Sequence, residues 1–212
     1  MRTSTPAHLA EAARAAGVRD LRVLEALQSV PRAGFVPAGL AAEAYLDEPL
    51  PIPHEQVTTQ PSLVAKMLEA LELAGSELVL EVGTGHGFQS ALLARLAGFV
   101  WSVERWDDLA ATARANLARH GVMNVKVMVG DGSEGLPEHA PYDAVLVSAA
   151  FPRVPTPLAE QLVEGGRLVQ PIGRGGNEEV LLFEMGGERL RRRRFVTGAR
   201  FVPLYGEHGF GP

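Results

Sequence analysis

The alternation of short apolar runs with amphipathic segments from residue 78 onward most constrains the fold of this chain. Five apolar runs are predicted as strands, at residues 78–82, 99–103, 125–129, 144–147 and 168–171. The segments between them predict helices at residues 88–97, 106–120 and 155–163. Strands that are apolar on both faces and alternate with helices are typical of a parallel sheet covered on both sides. We therefore expect an open, doubly wound, mostly parallel α/β sheet of the Rossmann-like kind.

The two ends of the chain depart from this alternation. Two helices are predicted at residues 7–16 and 20–29, and prolines predict an irregular segment from there to residue 60. Near the C-terminus, residues 179–184 and 189–196 predict an antiparallel hairpin, and residues 198–204 a further extended piece. The expected fold therefore has a helical N-terminal elaboration and an antiparallel C-terminal edge.

The same patterns suggest a division of the chain near residue 60. We expect residues 1–60 to form the N-terminal helical and substrate-side elaboration. A further helix is predicted to begin at Pro61, where proline suits a first helical position. Residues 61–212 are expected to form the ligand-binding unit.

The composition excludes several classes of function. The chain has 212 residues, no cysteine and a formal net charge of −5. Disulfide scaffolds, cysteine metal sites and thiol nucleophiles are therefore excluded, and no metal site is expected. The acidic balance does not favour nucleic acid as a partner. Because the N-terminus lacks the apolar core of a secretory signal and no run is long enough to cross a membrane, we expect a cytoplasmic protein with no membrane partner.

A glycine-rich turn follows the first predicted strand and reads Glu81-Val82-Gly83-Thr84-Gly85-His86-Gly87. Its glycines allow a ligand to approach bare backbone. A dinucleotide fingerprint would need glycine at the position of Phe88, and a phosphate loop would need a lysine. Ligands of open α/β sheets bind beyond the carboxyl ends of the strands. The turn therefore predicts a nucleoside ligand without a pyrophosphate, although such turns also occur without a ligand.

Acidic residues follow the next two predicted strands. Glu104 comes about 20 residues after the glycines, where an acid accepts hydrogen bonds from ribose hydroxyls. Asp131-Gly132 follows the third strand, where a carboxylate can accept from the exocyclic amine of adenine. Each acid alone would more often be a solvated loop residue. Suitable groups at three successive strand ends together predict an adenosine site.

This arrangement resembles the class I S-adenosylmethionine-dependent methyltransferases. The resemblance implies that Glu81 lies near the amino-acid part of the cofactor. It also implies cofactor contacts from the turn and the acidic strand ends, namely Gly83, Thr84, Gly85, Glu104, Asp131 and Gly132.

Further motifs resemble the protein-L-isoaspartate O-methyltransferases, and they extend from about residue 17 to residue 204. They lie at residues 30–37, 44–45, 47, 49–52, 56–61, 130–133, 140–143, 164–169 and 200–204, and the most specific are the proline-rich segment and the Phe-Val-Pro-Leu ending. The resemblance implies methyl transfer from S-adenosylmethionine to the free carboxylate of L-isoaspartyl residues in damaged proteins and peptides. S-adenosylhomocysteine would be the product. A cytoplasmic monomer that acts in protein repair is expected.

The resemblance also assigns roles around the segment before Pro61. Thr59 stands where the family has its active-site serine, and is the expected catalytic residue. Thr58 and Gln60 are expected to contact the cofactor, whereas His54 and Val202 are expected to contact the substrate. Thr59 is also placed to cap the helix that begins at Pro61, and a capping role is compatible with a catalytic role.

The same segment departs from the family pattern at Pro53 and Glu55, which replace two glycines. These changes leave the substrate open. One alternative is a carboxyl methyltransferase that acts on an aspartate of a dedicated partner peptide. Others are a non-catalytic cofactor-binding module and a nicotinamide oxidoreductase. An adenine-N methyltransferase is disfavoured, because the fourth strand is followed by Ser148-Ala149-Ala150-Phe151-Pro152 and not by an Asn/Asp-Pro-Pro-aromatic motif.

Little acid–base chemistry is required of the chain in the expected reaction. An acceptor carboxylate has a pKa near 4 and is already ionised at neutral pH. Catalysis would come from alignment of the acceptor and the methyl group at about 3–3.5 Å, and from exclusion of water. The hydroxyl of Thr59 is the expected orienting group.

Overall fold

A computed structural model describes residues 5–174, 176–187 and 189–211. The helices are α1 (Pro6–Ala15), α2 (Leu21–Ser29), α3 (Pro61–Ala70), α4 (Phe88–Leu96), α5 (Asp107–Arg119) and α6 (Thr156–Glu160). The strands are β1 (Leu50–Ile52), β2 (Gln56–Thr58), β3 (Leu78–Val82), β4 (Phe99–Glu104), β5 (Val125–Val129), β6 (Tyr142–Val147), β7 (Leu162–Ile172), β8 (Glu178–Gly186) and β9 (Arg189–Ala199). Short 3₁₀ helices span Arg32–Phe35, Ala38–Leu40 and Pro137–His139.

The main sheet has seven strands in the order β5-β4-β3-β6-β7-β8-β9. Strands β3 to β7 pair in parallel, whereas β8 and β9 add antiparallel pairs at one edge. The predicted open, mostly parallel sheet with an antiparallel C-terminal edge is confirmed. The chain runs outward from β3 to β5 and then returns to β6 on the other side of β3. This reversal of strand order creates a crevice at the carboxyl ends of β3 and β6.

Alternation along β3 divides the core between the two faces of the sheet. Val79 packs in a cluster with helices α1 to α5, whereas Leu80 and Val82 pack in a second cluster with Tyr142 and Leu158. All five side chains are buried, as expected for central parallel strands. Because side chains alternate along a strand, the polar side chain of Glu81 points to the same face as Val79, toward the helices of the first cluster.

The N-terminal helices are part of this first cluster. Leu9 of α1, Leu27 of α2, Leu68 of α3 and Leu92 of α4 are all fully or almost fully buried in it. Helix α2 begins after Asp20, whose carboxylate accepts from the backbone N–H of Arg22 at 2.8 Å. The apolar core is thus continuous across residue 60, and the division of the chain there stays a prediction.

Among the described residues, no helix has both the length and the apolar character needed to cross a membrane.

Two predicted segments differ in the structure. The segment before residue 60 is not irregular throughout, because Leu50 and Ile52 bury their side chains and form an antiparallel hairpin with β2. The helix predicted at residues 155–163 is limited to Thr156–Glu160, since β7 already begins at Leu162 and pairs with Tyr142. Gly165, with φ of 75°, permits an irregularity within β7. The first part of β7 is therefore not a continuous apolar run, and the apolar pattern predicted only its second part, residues 168–171.

The shared core predicts that loss of a side chain from α2 destabilises the whole protein. Leu27→Ala should lower the free energy of unfolding by about 2–5 kcal/mol, because it leaves a cavity in the first cluster. Leu21→Ala is the matched control on the same helix, since Leu21 is 65% exposed, and should change it by less than about 0.5 kcal/mol. Urea unfolding followed by circular dichroism measures both. A separate early transition in the Leu27 variant would contradict the shared core.

Candidate active site

Two adjoining cavities lie over the carboxyl ends of the central strands. The first has a volume of about 500 Å³ and lies between the β1–β2 hairpin, the start of α3, the glycine turn and the end of β9. The second, of about 250 Å³, lies over β3 and β4 beside residues 203–205. Gly83, Glu104, Ser148 and Val202 line both cavities. The two cavities therefore form one continuous cleft at the reversal of strand order.

The glycine turn and Glu104 meet at the centre of this cleft. Gly83 and Gly85 have φ of 93° and 55°, which L side chains rarely adopt, so the turn presents bare backbone. The Gly85 N–H donates to Glu104 Oε2 at 2.9 Å, and the Trp106 N–H donates to Oε1 at 3.1 Å. Burial raises the pKa of Glu104, and these bonds oppose that change. Each carboxylate oxygen keeps a further lone pair for a ligand hydroxyl.

Apolar side chains form the walls of the second cavity. Val82 and Val103 come from the ends of β3 and β4, and Trp106 and Leu204 also line this cavity. Gly132 also lines this cavity, and a Cβ there would overlap the side chain of Val82. Apolar side chains beside the Glu104 carboxylate suit a purine base and its ribose.

Asp131 is turned away from both cavities, toward the C-terminal segment. Its Oδ2 accepts from the backbone N–H of Glu207 at 2.7 Å, and its Oδ1 accepts from the backbone N–H and hydroxyl of Ser133 at 2.8 and 2.7 Å. Partial burial raises the pKa of Asp131, but these hydrogen bonds outweigh it and hold the pKa below its usual value. Only its neighbour Gly132 lines the cleft. The predicted contact of Asp131 with the base stays a prediction.

Glu81 is fully buried behind the glycine turn and lines neither cavity. Its carboxylate accepts from Ser102 Oγ at 2.5 Å, from Gln89 Nε2 at 2.9 Å and from the hydroxyl of Ser90. Burial raises the pKa of Glu81 to about 7, although these bonds oppose the change. Gln89 also donates to Ser148 Oγ at 2.8 Å, and both residues line the first cavity. Glu81 therefore reaches the cleft only through its hydrogen-bond partners.

The two threonines before α3 have different surroundings. The hydroxyl of Thr58 accepts from Arg32 Nη2 at 2.6 Å, and Thr58 is buried. Thr59 is half-buried and lines the first cavity; its carbonyl accepts from the same guanidinium at 3.3 Å. Within the described residues the Thr59 hydroxyl has no hydrogen-bond partner. It is therefore free to bind a ligand in the cavity.

The remaining predicted binding residues of the glycine turn and the α3 start also lie at the first cavity. Thr84 shares a hydrogen bond of 2.5 Å with Ser102, and its side chain is buried. Gln60 donates to Asp47 Oδ2 at 2.9 Å. Both residues line the same cavity as Thr59.

His54 and Val202, predicted to contact the substrate, both line the second cavity, but only Val202 also lines the first. Val202 lines both cavities, and its carbonyl accepts from the backbone N–H of Ala150 at 2.8 Å. His54 lines only the second cavity, where its ring stacks on Trp106 with centroids 4.0 Å apart. Its Nε2 lies 2.8 Å from Asp108 Oδ1. The structure thus places His54 beside the expected base site, and its substrate contact stays a prediction.

Arg32 is the functional residue that the sequence pattern alone does not reveal. It is fully buried, and its guanidinium donates to the carbonyls of Ala44, Leu46 and Glu48 at 3.3, 3.1 and 2.9 Å, as well as to Thr58 and Thr59. It lies in the proline-rich motif at residues 30–37, so its place in that motif was the available signal.

Among the residues that the structure describes, no group of three or more His, Asp or Glu side chains is placed to hold a metal ion.

This fold and cleft are those of the S-adenosylmethionine-dependent α/β methyltransferases. Residues 4–209 match the family described as Protein-L-isoaspartate(D-aspartate) O-methyltransferase (PCMT). The chain is 54% identical over 190 residues to the protein-L-isoaspartate O-methyltransferase of Anaeromyxobacter dehalogenans (strain 2CP-1 / ATCC BAA-258), which covers 89% of this chain and 91% of the relative. It is 48% identical over 194 residues to that of Methanoregula boonei, which covers 92% and 89%. The chain belongs to the protein-L-isoaspartate(D-aspartate) O-methyltransferase family.

Solved structures agree with this assignment. A protein-L-isoaspartate O-methyltransferase is 30% identical, with a TM-score of 0.83, and the match covers 95% of this chain and 66% of that chain. A Plasmodium falciparum protein, described as a putative protein-L-isoaspartate O-methyltransferase in complex with S-adenosyl-L-homocysteine, is 22% identical with a TM-score of 0.77, and shows the same fold. The match covers 95% of this chain and 98% of that chain. The resemblance expected from the sequence motifs is confirmed.

The environment of Glu81 predicts a pH-dependent stability. Its pKa of about 7 in the folded protein lies above its usual value of 4.5, so the folded state binds this proton more tightly than the unfolded state. The contribution of Glu81 to stability therefore falls as pH rises from about 4.5 to about 7. Glu81→Gln removes this titration. Urea unfolding at several pH values measures the unfolding free energy of both proteins. The value for the variant minus the value for the parent should increase between about pH 4.5 and about pH 7, and should level off above pH 7. A difference independent of pH would contradict the assignment.

Proposed function

We propose that this protein uses its two cavities for the two partners of one reaction. The reaction is that of its family, the transfer of a methyl group from S-adenosylmethionine to the free carboxylate of an L-isoaspartyl residue. The second cavity would hold the adenosine of the cofactor, and the first cavity the isoaspartyl residue. The observation that carries this proposal is the continuity of the cleft, in which Glu104 lies between the apolar base pocket and the free hydroxyl of Thr59.

The residues of the second cavity suit the cofactor. Glu104 would accept hydrogen bonds from the ribose hydroxyls, since both its oxygens already have fixed orientations set by backbone donors. Val82, Val103 and Trp106 would pack against the base. The bare backbone at Gly83 and Gly85 would permit close approach of the amino-acid part. When bound, the cofactor supplies a methyl group on a positively charged sulfur.

The residues of the first cavity suit a carboxylate acceptor. This acceptor is ionised at neutral pH, so no general base is needed, and none of the residues assigned to the reaction is a base. The Thr59 hydroxyl would donate to the carboxylate and orient it, while Arg32 holds the Thr59 backbone. The chain segment around Val202 borders both cavities, and would position the peptide across the point where they meet. Alignment and shielding from water are the catalytic effects that such a site supplies.

The reaction itself is tested with paired peptides. Production of S-adenosylhomocysteine is measured with an L-isoaspartyl peptide and with the same peptide containing normal aspartate. We expect turnover on the first and none on the second. Cofactor binding without turnover on any peptide would indicate a non-catalytic module. Turnover confined to one aspartyl partner would indicate the alternative substrate.

Thr59 is tested by comparing two substitutions. Thr59→Ala should lower kcat by about ten- to a hundredfold, because the hydroxyl that orients the acceptor is lost, and should leave cofactor affinity nearly unchanged. Thr59→Ser keeps the hydroxyl and should retain most of the activity. Steady-state kinetics on the isoaspartyl peptide measures both. Equal losses in the two variants would remove the orienting role from this hydroxyl.

Glu104 is tested by cofactor binding. Glu104→Ala should weaken S-adenosylmethionine binding by about 1–3 kcal/mol, the value of a lost charged hydrogen-bond partner. Glu25→Ala, which removes an exposed carboxylate from α2, is the control and should bind as the parent does. Isothermal titration calorimetry measures both affinities. Unchanged affinity in the Glu104 variant would contradict the proposed ribose contact.

Other expectations lie beyond the family assignment. We propose that the protein acts as a cytoplasmic monomer and does not bind nucleic acid. The net charge of −5 supports the last point. Gel filtration and cell fractionation would test the first two.

A further inference from the structure

Two cationic side chains lie in the wall of the first cavity. Lys66 comes from α3, and Arg200 follows the last residue of β9. Neither forms an ion pair: in the ranges 5–174, 176–187 and 189–211, no carboxylate lies within 4.0 Å of either side-chain charge. The charges of this wall are thus available to a bound molecule.

Lys66 is half-buried, which distinguishes it from an ordinary surface lysine. Its one hydrogen bond within the described residues is a long contact of 3.5 Å from Nζ to the hydroxyl of Thr197, which also lines the cavity. The register of β9 shifts at Val196, directly before Thr197, and such bulges redirect side chains. A partly buried ammonium without a charged partner is costly, so an anionic partner from outside the chain would be stabilising.

The arginines of neighbouring β9 positions have a different role. Arg192, Arg193 and Arg194 lie near Glu179, Glu184 and Glu72, at 3.6, 3.2 and 3.9 Å. These pairs are partly exposed and belong to the edge of the sheet. In contrast to these three arginines, Lys66 and Arg200 line the first cavity and have no carboxylate within 4.0 Å among the described residues.

The acidic residues of the same cavity do not neutralise these cations. Asp47 accepts from Gln60 Nε2 at 2.9 Å and from the backbone N–H of Ser62 at 2.8 Å. Glu104 accepts from backbone donors of the glycine turn and of Trp106. Asp47 is thus engaged at the start of α3 and Glu104 at the glycine turn, and neither forms an ion pair with Lys66 or Arg200.

We infer that Lys66 and Arg200 form a subsite for a second carboxylate of the peptide substrate, next to the isoaspartyl carboxylate that is methylated. The inference rests on the proposed function. Lys66 lies five residues into α3, about 7 Å along the helix from its start beside Thr59. An extended peptide covers that distance in about two residues. The second carboxylate is either a flanking acidic side chain or the C-terminal carboxylate of a short peptide.

The test compares kcat/KM for a matched set of isoaspartyl peptides. Glutamate, glutamine or lysine is placed two residues before or after the isoaspartyl residue, with the C-terminus amidated. A glutamine peptide that ends two residues after the isoaspartyl residue, with a free C-terminal carboxylate, separates the two sources. We expect the glutamate peptide to exceed the glutamine peptide by about three- to tenfold at low salt, with the lysine peptide lowest. Added salt should reduce this ratio.

Variants assign the preference to the two cations. Lys66→Gln and Arg200→Gln should each reduce the glutamate-to-glutamine ratio, and the double variant should bring it to about one. Lys66→Arg keeps the charge and should retain the ratio. Lys126→Gln is the matched control. Lys126 is the other lysine of the chain; it lies on β5, and its ammonium lies over the ring of Trp101 on β4, outside both cavities. It should keep the parent's ratio. Arg200 is exposed, so its variant tests the subsite even if the Lys66 variant folds poorly.

Three results would overturn the inference. The first is equal turnover of the three peptides by the parent protein. The second is a ratio that persists in the double variant. The third is an equal loss on all peptides in the Lys66 variant with an unchanged ratio, which would place the cation on the reacting carboxylate. Absence of turnover on every isoaspartyl peptide would instead overturn the proposed function, so the two failures are distinguishable.

Discussion

The buried guanidinium of Arg32 holds together the part of the structure on which the site depends. Burial lowers its pKa to about 10, opposed by the charge of Asp47, so it remains protonated at neutral pH. A buried cation is tolerated only when it is well hydrogen-bonded, and the donors of Arg32 reach five backbone carbonyls between residues 44 and 59. Residues 44–49 of this segment form neither helix nor strand, and Arg32 ties them to the end of the β1–β2 hairpin. The position of Thr59 follows from this arrangement, because its own carbonyl is one of the acceptors.

The strand ends contribute to the cleft in three different ways. Glu104 faces the ligand space, whereas Glu81 supports the wall from behind and Asp131 binds the C-terminal segment. The contact of Asp131 places Tyr205 beside Arg105, whose guanidinium also lies over the ring of Trp106. The C-terminal segment is therefore part of the wall of the second cavity. Three acids that look equivalent along the chain thus have different partners, and burial raises the pKa of Glu81 and Glu104 whereas hydrogen bonds lower the pKa of Asp131.

Local pattern predicts the fold well and the site only in part. Strands β3 and β5 begin and end at the predicted residues, because runs that are apolar on both faces have few alternatives in a parallel sheet. The positions of Gly85 and Glu104 follow from the rule that ligands bind beyond the carboxyl ends of such strands. The partner of Asp131 lies 76 residues away, and the carbonyls that Arg32 binds lie 12 to 27 residues away. Such contacts depend on tertiary packing, so periodicity and spacing do not predict them.

The hairpin between β1 and β2 shows how a departure from the family pattern is accommodated. His54 and Glu55 have φ of 61° and 57°, a geometry that favours glycine or asparagine in two-residue hairpin turns. The strain is offset by contacts of the His54 side chain, which stacks on Trp106 and pairs with Asp108. Both turn residues line the second cavity and not the first. Of the two residues that replace the family's glycines, Glu55 lines the second cavity and Pro53 lines neither, whereas Thr58 and Thr59 are held by Arg32. If the second cavity holds the adenosine as proposed, we expect Glu55 to affect cofactor binding more than the choice of the carboxylate that is methylated.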